Sequence, residues 1–319
     1  MTKVGVLTSG GDAPGMNAAI RAAVRNGIAN GMKMYGIERG YEGLIDGDIY
    51  EMDIASVGDI IHRGGTKLQT ARSKRFMTEE GLDKAVMMIQ NFGLDAVIVI
   101  GGEGSFKGAA TLADRGINVM CVPCTIDNDM GYTDTTIGFD TAVNTVLSAI
   151  GNIRDTSSSH ERTTIIEVMG RSCGDIALYA GLAGGAESVL IPELPFDLNA
   201  VCMRIVQGRN RGKKHNIIIK AEGVNIETNE LADMIHERTG VDTKVVVLGY
   251  LQRGGTPTAS DRLFATRASF KAIELIRDGA SNRAIGLAGM EIVHYPLKEA
   301  IEIPTRPATD FLRLIDVLS

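Results

Sequence analysis

Val4-Gly5-Val6-Leu7-Thr8-Ser9-Gly10-Gly11-Asp12 sets the pattern on which the chain is built. A short apolar, β-branched run ends in a polar glycine turn, and a helical pattern follows near residues 16–30. The same order recurs. Residues 96–100 end at Gly101-Gly102-Glu103-Gly104-Ser105, and residues 163–168 end at Met169-Gly170-Arg171 before a helix near 174–182. Residues 216–220 end at Ala221-Glu222-Gly223. Residues 245–248 lead through Gly249-Tyr250-Leu251-Gln252-Arg253-Gly254-Gly255 to a helix over 259–277. Strand, glycine loop and helix in alternation form the βαβ signature. Right-handed crossovers then place all such loops on one edge of a mainly parallel sheet, an α/β fold.

Composition narrows the setting. At 319 residues the chain is long enough for about two lobes. Hydrophobic residues at 44% and charged residues at 23% describe an ordinary globular protein with material for a core. Its 38 glycines and lack of Trp favour turn-rich α/β architecture over an aromatic-packed sandwich. A net charge of −6 gives no reason to expect nucleic acid. No apolar run reaches ~18 residues, so no membrane span is expected and the reading is cytoplasmic. No Pro/Ser-rich linker separates the lobes. Cys121 and Cys124 form a lone C-x-x-C that lacks further ligands for zinc and lies in a strand run rather than opening a helix. Reduced thiols are expected.

The stretch Pro123-Cys124-Thr125-Ile126-Asp127-Asn128-Asp129 follows the apolar run 119–122. It places two carboxylates just past a strand end, where the loops of a parallel sheet converge on ligands. Two readings stand side by side: one acid takes a proton while the other holds a metal ion, or the segment is an Asx-rich turn. The loops at Gly10-Gly11 and Gly101–104 aim backbone N–H groups and a helix start at one spot, which suits phosphate. Neither is a Walker A or a G-x-G-x-x-G loop. Glu103 belongs beside phosphate only if a cation such as Mg²⁺ intervenes. Arg72, Arg162 and Arg171 are candidate phosphate clamps, against the alternative of solvated surface charge. Glu222 is placed to accept sugar hydroxyls or to start a helix. Gly170-Arg171-Ser172-Cys173-Gly174 also fits G-x-S-x-G, with Asp197 or Asp233 and His294 downstream, but no oxyanion loop accompanies it. A separate basic set comprises Arg21, Arg25, Arg154, Arg211, Lys213, Lys214 and His215.

Taken together, the segments 7–17, 125–129, 154–160, 168–171 and 252–255 resemble bacterial 6-phosphofructokinase, from Lys3 to the last residues. The resemblance implies two α/β lobes with mainly parallel sheets and a cleft between them, in a homotetramer. Residues 1–138 and 252–302 would form the ATP lobe, and 139–251 and 303–319 the sugar-phosphate and effector lobe. It implies phosphorylation of fructose 6-phosphate by ATP. Asp127 would take the proton from the attacking hydroxyl, with Thr125, Arg171 and Arg72 steadying the transferring group. Gly11, Arg72, Ser73, Gly102, Glu103, Gly104 and Ser105 would hold ATP, and Glu103 and Asp129 would lie by Mg²⁺. Thr125, Ile126, Asp127, Arg162, Met169, Gly170, Arg171, Glu222, Lys244, Tyr250 and Arg253 fall at sugar-phosphate positions, with Arg162 and Lys244 reaching from a neighbouring subunit. Arg21, Arg25, Arg154, Gly185, Glu187, Arg211, Lys213, Lys214 and His215 match an effector site for ADP or phosphoenolpyruvate.

Several positions depart from the family pattern. Glu103, Lys244 and Tyr250 stand where Asp, Arg and His are usual, and Ile54 replaces an effector-site Arg. Weakened or altered control by ADP and phosphoenolpyruvate is therefore expected. Gly104 is the mark of ATP users, whereas Cys124 matches neither ATP nor pyrophosphate users. The alternatives are a pyrophosphate-dependent enzyme and a catalytically silent, sugar-phosphate-binding paralogue.

Overall fold

A computed structural model describes residues 1–319. The chain passes through β1 (Lys3–Ser9), α1 (Met16–Ala29), β2 (Lys33–Ile37), α2 (Gly40–Asp46), β3 (Ile49–Met52), α3 (Glu79–Phe92), β4 (Ala96–Gly101), α4 (Glu103–Asp114), β5 (Val119–Pro123) and α5 (Phe139–Ser159). It continues through β6 (Thr163–Val168), α6 (Asp175–Ala183), β7 (Ser188–Leu190), α7 (Leu198–Asn210), β8 (Asn216–Ala221), α8 (Thr228–Thr239) and β9 (Thr243–Val247). The last elements are α9 (Ala259–Arg277), β10 (Arg283–Ala288), β11 (Glu291–Pro296), α10 (Leu297–Glu302) and α11 (Asp310–Leu318). No helix is long and apolar enough to cross a membrane.

Two compact units result. The first comprises residues 1–141 and 253–305, the second 142–252 and 306–319. Gln252, expected with the ATP lobe, clusters with the second unit. Its fully buried amide accepts from Met169 N–H and donates to Gly249 O, each at 3.1 Å.

The first unit holds a seven-stranded sheet in the order β11-β10-β5-β4-β1-β2-β3. Its central strands are parallel, with Ser9 beside Gly101 and Gly101 beside Pro123. Strands β4 and β5 are buried at every residue, because parallel strands are covered on both faces and so read as unbroken apolar runs. Outer strands β3 and β11 pair antiparallel with β2 and β10. Partial exposure spares them such runs, so the strand–loop–helix rhythm does not register them.

The second unit holds a parallel four-stranded sheet, β7-β8-β6-β9. Helix starts are fixed by side chains: Thr78 caps α3, Asp197 caps α7 and Thr258 caps α9, each accepting a backbone N–H.

Candidate active site

Topology locates a strand-end cluster in the first unit. From β1 the chain moves to β2 on one side, then returns across to β4 on the other, so the order reverses between β1 and β4. In open α/β sheets ligands bind outside the carboxyl ends of the strands at such a reversal. Here Ser9, Gly101 and Pro123 end three neighbouring strands in register, spaced by the ~4.8 Å of a ladder. The two glycine loops and the 123–129 segment therefore leave the sheet side by side.

Each loop has a reason for its residues. Gly10 adopts φ 90°, a left-handed conformation that costs glycine little. A Cβ on Gly11 would run into the guanidinium of Arg253, whose Nη1 also donates to Asp12 O at 3.3 Å. The fold thus brings Arg253 onto the first glycine loop. A Cβ on Gly102 would come within 3.3 Å of Thr125 Cβ, which shows how closely the second loop abuts the third. Gly102 precedes α4 without a side-chain cap; Ser105 N–H donates to Gly102 O at 3.0 Å, which leaves the Glu103 and Gly104 N–H groups for an outside acceptor. Around Gly104 there is open space.

A strap over residues 63–73 lies against the first loop. Thr8 Oγ1 donates to Gln69 O at 2.7 Å, Thr70 Oγ1 to Gly10 O at 2.8 Å, and Lys67 N–H to Asn17 Oδ1 at 2.7 Å. These bonds carry Arg72, exposed, toward the same end of the sheet. The Ser73 hydroxyl is engaged elsewhere: it donates to the Glu42 carboxylate and accepts Phe76 N–H at 3.1 Å. Ser73 can therefore offer a nucleotide only its backbone.

Within the third loop, Asp127 is 2% exposed and its N–H donates to Thr125 Oγ1 at 3.2 Å. Asn128 takes φ 54°, a left-handed conformation that Asn tolerates in turns. Ile126 is buried, and Thr305 Oγ1 donates to Asp129 O at 3.1 Å. Glu103, in the first turn of α4, pairs with Lys107 at 2.5 Å. Glu103 and Asp129 supply only oxygen donors, which suits a hard cation that takes one or two carboxylates and fills its shell with phosphate and water. No group of three or more His, Cys, Asp or Glu side chains gathers as a self-sufficient metal cage.

Sequence reasoning missed Asp261. It is buried on α9 and accepts from Gly138 N–H and Thr141 N–H, both at 2.9 Å, and from Thr141 Oγ1 at 2.5 Å. It thereby holds the segment returning from the Asp127 loop. Burial pushes its carboxyl above the ordinary value despite these bonds. Thr258-x-x-Asp261, a capping-box pattern, was the available signal. Cys124 is also buried, its thiol pushed well up by burial and then by the Asp261 and Asp12 carboxylates.

The second unit has its own strand-end cluster. Gly170 at φ 136° and Arg171 at φ 52° turn the chain sharply after β6. Arg171 N–H donates to Glu222 Oε1 at 2.9 Å, and Glu222 N–H donates to Val168 O at 2.8 Å. Met169, Arg171 and Glu222 thus converge past the carboxyl ends of β6 and β8. Arg162 and Lys244 do not join them. They lie at the amino ends of β6 and β9, about 20 Å away at ~3.3 Å per residue, and both bind the Asp242 carboxylate. Tyr250 is 82% exposed.

A further cluster surrounds residues 184–187. Arg154 Nη2 donates to the carbonyls of Gly184 and Gly185 at 2.5 and 2.9 Å. Buried Glu187 accepts from Lys213 Nζ at 2.7 Å and from Ile217 N–H. Burial lowers the His215 imidazole below its ordinary value. Arg211 and Lys214 belong to the same unit, whereas Arg21, Arg25 and Ile54 belong to the first. As for the rival G-x-S-x-G motif, Asp197 is engaged as the cap of α7, and Ser172 and His294 fall in different units.

Comparison with known proteins gives a consistent result. Residues 3–276 match the phosphofructokinase family. The chain is 55% identical over 303 residues to an ATP-dependent 6-phosphofructokinase of Clostridium botulinum, covering 95% of each. It is 54% identical over 319 residues to one of Alkaliphilus metalliredigens, covering 100% of each. It superposes on a phosphofructokinase from Saccharomyces cerevisiae with TM-score 0.90 and 34% identity, over 99% of this chain and 47% of that one. The chain therefore spans about half the length of the yeast chain. A pyrophosphate-dependent phosphofructokinase from Marinobacter aquaeolei shares the fold at TM-score 0.84 and 23% identity, over 99% and 91% of the two chains.

Proposed function

The chain belongs to the phosphofructokinase family, and from that premise we infer that it transfers the γ-phosphoryl group of ATP to the 1-hydroxyl of D-fructose 6-phosphate. The observation that carries this reading is the alignment of three strand ends at the order reversal, with buried Asp127 on the third loop. Asp127 takes the hydroxyl proton as that oxygen attacks phosphorus. Thr125 and Arg171 steady the transferring group with Arg72. Such reactions gain most of their rate from positioning and charge stabilisation. The loops that carry Gly11 and Gly102–Ser105 cradle the ATP phosphates, with Arg253 held against the first of them. Glu103 and Asp129 would hold Mg²⁺, which neutralises phosphate charge when bound. Glu103 must then exchange or share its Lys107 partner.

Met169, Gly170, Glu222 and Tyr250 meet the sugar. In a homotetramer, Arg162 and Lys244 serve the 6-phosphate of a neighbouring subunit's site, a reading supported by their place at the far end of the sheet from Arg171. Arg154, Gly185, Glu187, Arg211, Lys213, Lys214 and His215, with Arg21 and Arg25, form a regulatory site for ADP or phosphoenolpyruvate.

A coupled assay tests the reading. Purified protein with fructose 6-phosphate, Mg²⁺ and ATP should turn over, and removal of Mg²⁺ by chelation should abolish turnover. Pyrophosphate in place of ATP should give little. Equal or greater kcat/KM with pyrophosphate would overturn the choice of donor.

A further inference from the structure

Asp242 makes a contact that no step above uses. It immediately precedes β9, beside Arg162 at the start of β6, in the register that pairs Thr163 with Thr243 and Thr164 with Lys244. Its Oδ2 lies 2.7 Å from Arg162 Nε and its Oδ1 lies 2.9 Å from Lys244 Nζ. One carboxylate therefore engages both cations, each by a different oxygen. In the single chain the side chains are 36–52% exposed, so the chain itself leaves room beside them for an anion. The Asp242 carbonyl independently accepts Thr163 N–H at 3.0 Å, so the backbone here is fixed without the carboxylate. Lys244, bonded to the carboxyl, together with nearby Arg162 and His236 holds it below the usual carboxylate range, so it is charged at neutral pH.

Guanidinium and ammonium groups bind carboxylates and phosphates through the same charge-assisted hydrogen bonds. A phosphate approaching Arg162 and Lys244 meets a carboxylate already there. It must either displace that carboxylate or bind beside a like charge. We propose that Asp242 competes with the 6-phosphate of fructose 6-phosphate for Arg162 and Lys244, and so sets the apparent affinity for that substrate. The proposal rests on the reading that these two cations bind the 6-phosphate. Asp242 is then a positioning residue that acts through its neighbours and touches no reacting atom.

The test is Asp242→Asn in the full chain, which keeps the shape and removes the charge, with Asp242→Ser as a second variant of different shape. Steady-state kinetics should show KM for fructose 6-phosphate falling about two- to five-fold, the scale of one partly exposed charge interaction. Expected alongside are kcat within about two-fold and an unchanged KM for ATP. The advantage should shrink as salt is raised toward ~0.5 M, because exposed charges are screened. An unchanged or raised KM for fructose 6-phosphate in both variants would overturn the proposal. So would an equal fall in an Arg162→Gln, Lys244→Gln background, since the effect would then bypass the cations. The cation substitutions alone separate the two levels of argument. If they leave that KM unmoved, the sugar-phosphate reading itself fails. If they raise it while Asp242→Asn does not lower it, only the competition fails.

Discussion

In the first unit Ser9, Gly101 and Pro123 end side by side, and the two glycine loops and the 123–129 segment leave the sheet from that line. In the second unit the assigned groups part company. Met169, Arg171 and Glu222 gather past the strand ends, while Arg162 and Lys244 stand at the strand starts, occupied with Asp242. The contrast teaches that one chain gathers three glycine and acid loops at a single sheet edge but divides Arg171 from Arg162 and Lys244 between the two ends of another sheet. On the proposed reading, the cations at the far end serve another copy.

The hardest blow to this contrast falls on the third loop of the first unit. Asp127→Ser should lower kcat about a thousand-fold, within the range for loss of a general base, with little change in either KM. A loss under ten-fold would remove Asp127 from its role. Next comes the division itself. Arg162→Ala should raise KM for fructose 6-phosphate by about ten- to a hundred-fold, the cost of a charged hydrogen bond, and spare kcat. Co-expressing Asp127→Ser with Arg162→Ala should then restore, at fructose 6-phosphate well below the raised KM, activity that neither shows there alone. Absence of rescue in a mixed oligomer verified by mass would place Arg162 in its own chain's site.

Smaller effects sharpen the first unit's side. Asp261→Asn leaves a donor facing Thr141 and should lower stability by about 1–3 kcal/mol in urea unfolding. Burial raises the Asp261 carboxyl, so the folded chain keeps that proton to higher pH than the unfolded chain does. Its stabilising contribution is full below the ordinary carboxyl value of ~3.9 and is lost as pH rises through the raised value. The variant should lose that slope, seen by comparing urea midpoints across the acid range. Smallest of all, the four cysteines are free and buried, so a thiol reagent at mildly alkaline pH should label the native chain only slowly and the denatured chain fully.

Much of this was legible in one dimension. Strands β4, β5, β6 and β8 announce themselves because double-sided burial demands unbroken apolar runs. The loops after them follow from the glycines and acids at the strand ends. Strands β2, β3, β7, β10 and β11 escaped because they are short or half exposed, and a weak pattern at an edge carries no unique signal. Asp261 escaped for another reason: its capping-box spacing was visible, but which loop its carboxylate would reach depends on α9 returning to the first unit. The Ser73–Glu42 and Asp242–Arg162 pairs join residues 31 and 80 positions apart, beyond the reach of any local motif.

The split course of the first unit also dictates an order of events on the ribosome. Helix α1 buries most of its residues, and much of that burial is against α9; Asn26 alone donates to Phe270 O, 244 residues later in the chain. At about 5–20 residues per second, the apolar face of α1 waits roughly 10–50 s for its partner to emerge. During that interval the second unit's strands have all been made, whereas β5 still lacks β10. Nascent chains stalled before residue 259 should therefore bind chaperones through α1, and release them once α9 has left the tunnel.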